Sequence, residues 1–357
     1  MRASPPGVSR RGLLILSVIL VGCTGSSGPA QTTPRVSGAP ATVTPSSGSS
    51  PGPEPASPSC TSQQHLPPEG EFSDVQGWIA YRCGSLIVAV DPGHPNHPLS
   101  LGPSHGADPI EWSRDGTRLL LQRERPSEGQ FARTYVANAD GSEIRFARYT
   151  YGGSFSPDGT MVVYEDGVGT TYGAGGHVTH QGGLYVIDAD GGRPRLLAAN
   201  DRSGDLGSPS WSPDGSLIAF TTNEGVTALK FRLSVVNADG TGRRALVVSS
   251  HQVQTPAWAP DGSRLVFSKL VGLYVVGADG SGLHQITDLR SSSPAWSPDG
   301  SRIAFVYQGG LFTMAAADGS RIFGYQGDLF TMAADGSDVR RVEGVEPEGA
   351  IAWNPVG

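Results

Sequence analysis

From about residue 75 onward, short apolar runs alternate with polar breaks rich in Gly, Asp and Ser, and the runs fall into two recurring phrases. The first reads EWSRDGTRLLL from Glu111, SFSPDGTMVVY from Ser154, SWSPDGSLIAF from Ser210, AWAPDGSRLVF from Ala257 and AWSPDGSRIAF from Ala295. The second follows each of the first four: TYVANADGS from Thr134, LYVIDADGG from Leu184, LSVVNADGT from Leu233 and LYVVGADGS from Leu273. Apolar runs this short, bounded by Asp-Gly, are strand and turn signals. An aromatic residue ends one strand: Trp112, Phe155, Trp211, Trp258 and Trp296 in turn. Pro-Asp-Gly or Arg-Asp-Gly then reverses the chain, Pro fixing φ and Gly accepting positive φ. A strand such as LIAF returns. The ADG phrase closes a second hairpin, since Asp-Gly suits the positive φ angles of a two-residue turn. A short last strand such as RRALVV or HQITDL completes the unit.

Four strands recurring with a period of roughly 40 to 55 residues are the blades of an all-β propeller. The two phrases together resemble the TolB-type β-propeller repeat, a Trp-Ser-Pro-Asp-Gly turn followed by Leu-Tyr-Val and Asp-Gly. The resemblance covers residues 74 to 357. A sixth aromatic, Trp353 in AIAWNPVG, supplies an inner strand only, while GWIAYRCGSLIVAVDPG (residues 77 to 93) and HPLSLG supply the strands it lacks. The two ends therefore build one blade together, giving six blades of four antiparallel strands and no free edge at the joint.

One passage is written twice. SRIAFVYQGGLFTMAAADG (residues 301 to 319) is followed by SRIFGYQGDLFTMAADG (residues 320 to 336), with no second aromatic anchor. It is a second-plus-third-strand hairpin copied inside the fifth unit and not a seventh blade. One copy is expected to pair in the blade while the other extends or bulges from its outer edge.

The N-terminus changes the picture of where the propeller resides. Arg2, Arg10 and Arg11 precede an apolar run from Leu13 to Val21, too short to span a bilayer, and LVGC ends at Cys23. This resembles the bacterial lipobox, which implies cleavage after Gly22 and lipidation of Cys23. SRRGLL also resembles a twin-arginine signal. Residues 23 to 68 are Pro, Ser, Thr and Gly with hardly a large apolar side chain, a disordered tether leading into a propeller at residues 69 to 357. The expected location is outside the cytoplasmic membrane, on a lipid anchor. In that oxidising compartment Cys60 and Cys83 are a candidate disulfide, free thiols being the alternative.

A net charge of −7 with two lysines, Lys230 and Lys269, leaves no basic stripe for nucleic acid. The turn aspartates Asp115, Asp158, Asp214, Asp261 and Asp299 recur in every full unit, so they read as structural. Departures from the repeat are more informative, because a feature of one blade is not required by the fold. The interval from Phe155 to Trp211 is long, its surplus being residues 165 to 183 with His177 and His180. His105 and His251, in blade-to-blade connections, belong to the same face. These four histidines are the weak metal candidates, lacking a rigid ligand pair and an acidic ligand beside them. No nucleophile elbow or P-loop is present, and no cofactor and no catalytic residue is assigned.

The reading is a monomeric, membrane-anchored envelope lipoprotein whose propeller binds a protein or glycan. The alternatives are a metal-assisted polysaccharide lyase or glycan hydrolase, and a sensory ectodomain. Resemblance to TolB implies protein partners near the peptidoglycan. The α/β domain that precedes the propeller in that family is replaced here by the tether, so that family's specific role is not carried over.

Overall fold

The computed structural model describes residues 76–355 apart from 96, 124–131, 139–144, 167–170, 173–177, 201–204, 224–229, 308–311, 316–320, 325–326 and 348. The signal segment, Cys23, the tether, Cys60 and His177 lie outside the described residues. Strands and turns make up the rest, and among the described residues there is no helix.

Six blades are present. Blade 1 runs Asp108–Trp112, Arg118–Arg123, Arg133–Asn138 and the first half of Arg145–Phe155. That last strand is continuous: Arg145 to Tyr149 close blade 1, while Thr150 to Phe155 open blade 2 against Met161–Asp166. Gly183–Asp188 and Arg195–Ala199 complete blade 2. Blade 3 is Asp205–Trp211, Leu217–Asn223, Phe231–Asn237 and Arg244–Ser249. Blade 4 is Val253–Trp258, Arg264–Lys269, Leu273–Gly277 and His284–Thr287. Blade 5 is Ser291–Trp296, Arg302–Tyr307, Asp328–Ala333 and Arg340–Arg341. In blade 6 the C-terminal Ile351–Trp353 pairs with Ile79–Cys83, and Leu86–Val90 and Leu99–Pro103 lie outside it. The expected closure by both chain ends is thus in place. Trp353 Nε1 donates to the Gly77 carbonyl at 2.6 Å, and the Asn354 N–H donates to the Trp78 carbonyl at 2.8 Å. Cys83, at the end of its strand, is disulfide-bonded.

Packing explains why the second strands read as unbroken apolar runs. A blade is covered on both faces by its neighbours, so alternate side chains enter different cores. Leu119 and Leu121 pack toward blade 6, Leu120 toward blade 2; Ile303 and Phe305 pack toward blade 4, Ala304 and Val306 toward blade 6. Six apolar clusters result, one at each blade-to-blade interface.

The turns differ from expectation in one respect. In the ADG loops Asp keeps negative φ and only Gly is left-handed, as at Gly240 (φ 91°) and Gly280 (φ 92°). The Gly280 N–H donates to Gly277 O and the Gly277 N–H to Ser281 O, so the loop is a three-residue type with a terminal left-handed Gly. In the first turn, Ser297 Oγ donates to Asp299 at 2.6 Å and accepts from the Arg302 N–H at 2.9 Å, while Asp299 also accepts from the Ser301 N–H and hydroxyl. These bonds hold the Asp299 carboxyl down to about 2. Asp158 and Asp214 are held low by the same set of bonds, and Asp261 by Ser263, its blade having Ala259 in place of the first serine. Asp115 is also lowered, burial opposing the bonds from Ser113 and Thr117.

The doubled passage resolves in a way that repetition alone does not reveal. Blade 5 takes its second strand from the first copy and its third from the second copy, Arg302–Tyr307 pairing with Asp328–Ala333. Between them, Phe312–Ala315 pairs with Arg321–Gly324 as a separate two-stranded hairpin. Neither copy is used whole. Deleting residues 308–325 joins Tyr307 to Gln326 and shortens this connection to a tight turn. The loop-closure saving is about 2 kcal/mol. The variant should keep its circular dichroism spectrum and melt a few degrees higher, at about 2–4 °C per kcal/mol. A molten or aggregated product would show that the hairpin belongs to the core.

Candidate functional site

The six inner strands run from the face carrying the blade-to-blade connections to the face carrying the Asp-Gly turns, and they enclose a central channel of about 590 Å³. Its volume is in the range of small-ligand sites. The residue before the aromatic anchor lines it in five blades, as Ser210, Ala257, Ala295 and Ala352 and as Glu111 in blade 1, while Ser154 of blade 2 is buried and hydrogen-bonded to Glu111. Two residues past the anchor, Pro157, Pro213, Pro260, Pro298 and Pro355 ring the turn-face mouth, and blade 1 again departs with Arg114. At the opposite mouth are Gln122, Glu165, Ser208, Gln254, Thr255 and Ser293.

Glu111 is half-buried by exposed area. What it exposes faces the channel, with protein packed around it on every side. Its carboxyl accepts from Ser154 Oγ at 3.1 Å and from the Phe155 backbone N–H. Ser154 Oγ in turn accepts from the Trp211 N–H at 2.9 Å, so three blades fix this one acid. Burial pushes Glu111 up to about 8 against the pull of its hydrogen bonds. Among the described residues no cationic side chain pairs with it. Arg114 reaches across the turn-face mouth, Nη1 donating to the Pro213 carbonyl of blade 3 at 2.6 Å.

Tryptophans hold the channel wall. Trp258 Nε1 donates to Ser210 O and Trp296 Nε1 to Ala257 O, each at 3.1 Å and each to the inner strand of the preceding blade. Ser208, Thr255 and Ser293 have φ of 47°, 47° and 50°, each just before a proline, and Gly152 holds the same place in blade 2 with φ 62°. A left-handed β-branched residue such as Thr255 costs on the order of 1–3 kcal/mol. Recurrence in four blades makes this bulge a part of the repeat, where it shifts the strand register before the anchor. At the connection-face mouth Glu165 leans on Gly207, where any Cβ would lie 2.6 Å from its Oε2.

Of the histidine candidates, His105 and His251 do not converge. His105 sits at a left-handed turn between blades 6 and 1, His251 between blades 3 and 4, on opposite sides of the ring, and both are exposed. His180 ends the short strand Val178–His180, paired with Thr171–Tyr172. Among the described residues no three His, Cys, Asp or Glu side chains are grouped to hold a metal. The turn aspartates lie in the hydrogen-bonded turns described above. Glu111 and Arg114 were missed in the sequence; the signal that could have found them is that both break the repeat in EWSRDG, and ring closure then shows that both face one cavity.

Residues 171–346 match the TolB beta propeller domain family. No curated protein matches the chain. Among solved structures, TolB from Acinetobacter baumannii superimposes with TM-score 0.56 at 17% identity over 80% of this chain and 67% of its own. A protein assigned as TolB from Agrobacterium tumefaciens gives 0.55 at 22% identity, over 72% of this chain and 90% of its own. A chain from a nidogen/laminin complex gives 0.54 at 10% identity, over 78% and 98%. The likeness is one of fold.

Proposed function

Because this chain carries a TolB-type β-propeller, we propose that it is a protein-binding module of the cell envelope, tethered to the outer side of the cytoplasmic membrane through a lipid on Cys23. The observation that carries the binding reading is the channel. Five blades carry Ser or Ala before the anchor and Pro after it, the Pro of each lining the turn end, and one blade replaces both with charges that the fold does not require. Loops and channel mouths of a rigid ring are where such a scaffold carries its function. A propeller in a nidogen/laminin complex is a precedent for the same fold within a protein assembly. The disulfide at Cys83 favours an exported protein, and in this reading its partner is Cys60, which pins the tether to blade 6.

A photo-crosslinking amino acid at Gln254, on the connection-face mouth, should yield a defined protein adduct in intact cells. The same group at Leu283, exposed on the outer edge of blade 4, should not. Equal or absent adducts at both positions would sink the assignment of the channel mouth. Cys23→Ser should move the protein from the membrane to the soluble fraction, and its retention in the membrane fraction would refute the lipid anchor.

A further inference from the structure

An acid that faces a cavity, is hydrogen-bonded from the neighbouring blade and, among the described residues, pairs with no cationic side chain is an unusual thing to keep in a protein core. A buried carboxyl costs stability when charged and is retained where something compensates it. Fold requirements do not explain Glu111, since Ser or Ala serves at the same position in five blades. The two mouths are also unlike. Arg114 spans the turn-face mouth and repels a cation arriving there, whereas the connection-face mouth presents Glu165, Gln122 and Gln254. From that mouth Glu111 lies two to three residues down the inner strand, as Ala257 lies below Thr255 and Gln254, a depth of about 7–10 Å at the rise of a strand. The walls along the way are Pro209, Pro256, Pro294, Ala257, Ala295 and Ile110, interrupted by small hydroxyl side chains such as Ser210, and none of these carries a charge.

We propose that the channel receives an extended peptide arm of the partner from the connection face, with the arm's terminal ammonium resting against Glu111. Two or three extended residues span that depth, so a four-residue arm reaches it with its last residue at the mouth. The inference rests on the channel being the binding site, and it adds which group binds and where. An ammonium arriving at Glu111 favours the ionised carboxylate, so the carboxyl releases its proton to solvent as the pair forms. The opposed Arg114 guanidinium closes the far end and sets the polarity of insertion, amino terminus first.

The test uses tetra-alanine amide with a free amino terminus and its N-acetylated form as probes on the full-length protein, read by tryptophan fluorescence and calorimetry. The free-amine peptide should bind saturably with release of up to about one proton, and the acetylated one at least about tenfold more weakly. Glu111→Ser places in blade 1 what blades 2 and 3 already carry, so it should fold, and it should lose the preference for the free amine. Equal binding of both peptides, no binding of either, or a response in wild type that Glu111→Ser leaves unchanged would each overturn the proposal. So would a Glu111-dependent response to calcium chloride alone with none to the peptide. The crosslink from Gln254 is scored in parallel. Its persistence when the peptide result is negative removes the ammonium site and leaves the binding module standing; its absence in wild type removes the module itself.

Discussion

A chain that stops at Gly349 is expected to lose the ring. Ile351, Ala352 and Trp353 are the inner strand of blade 6, and all three are buried. Their removal strips Ile79–Cys83 of one partner, pulls Trp353 from the cluster shared with blade 5, and exposes a hydrophobic edge. Losing the Ile and Trp burial alone costs about 1.5–3 kcal/mol per side chain. Because each interface supports the next, the loss spreads to both neighbours of the gap. The expected product is aggregated on size-exclusion chromatography and melts without a cooperative transition. A monomeric, cooperatively melting product would show that blade 6 closes without its inner strand. Trp353→Phe is the graded control: it keeps the ring but forfeits the bond to Gly77, at about 1 kcal/mol.

Trp258→Ala should cost about 3–5 kcal/mol, the range of large-to-small changes in a packed core. The indole is 8% exposed, fills the interface of blades 3 and 4, and ties the two inner strands by its bond to Ser210. Trp112 provides the contrast. It is 2% exposed, yet its Nε1 has no hydrogen-bond partner among the described residues. Trp→Phe should therefore be milder at 112 than at 258, because only at 258 does it sacrifice a bond, whereas at 112 it removes an unpaired buried donor. Chemical-denaturation midpoints of the three single variants decide the matter. An equal loss for the two Phe variants would mean that the inter-blade bond contributes nothing measurable.

Much of this fold was legible because the repeat announces itself five times. An aromatic, a turn with Asp-Gly and an apolar return strand leave little freedom locally, and the shared blade 6 came from counting which strands each end lacked. The loops show where local sequence stops being enough. Asp-Gly is compatible with more than one hairpin loop, and it is the bond from Gly277 to Ser281 that selects the three-residue form. The candidate site was half legible. Glu111 and Arg114 stand out by comparison with the other units, but whether a residue beside an anchor faces the channel or a neighbouring blade depends on how the ring closes. His105 and His251, grouped by face, are three blades apart, since sharing a face of a disc says nothing about angular position around it.

The spare hairpin bears on the order of events in folding. LFTMA occurs identically at Leu311 to Ala315 and Leu329 to Ala333, so the open edge of Arg302–Tyr307 meets an acceptable partner from the first copy before the second has been synthesised. The settled structure nonetheless uses the later one. Asp328, where the first copy has Gly310, binds Arg341 at 2.7 Å, and Val342 and Val345 pack into the cluster shared with blade 6. The choice between two identical strands thus rests on Asp328 and on the residues that follow the second, and blade 5 is expected to reach its final pairing only when the end of the chain arrives to close the ring.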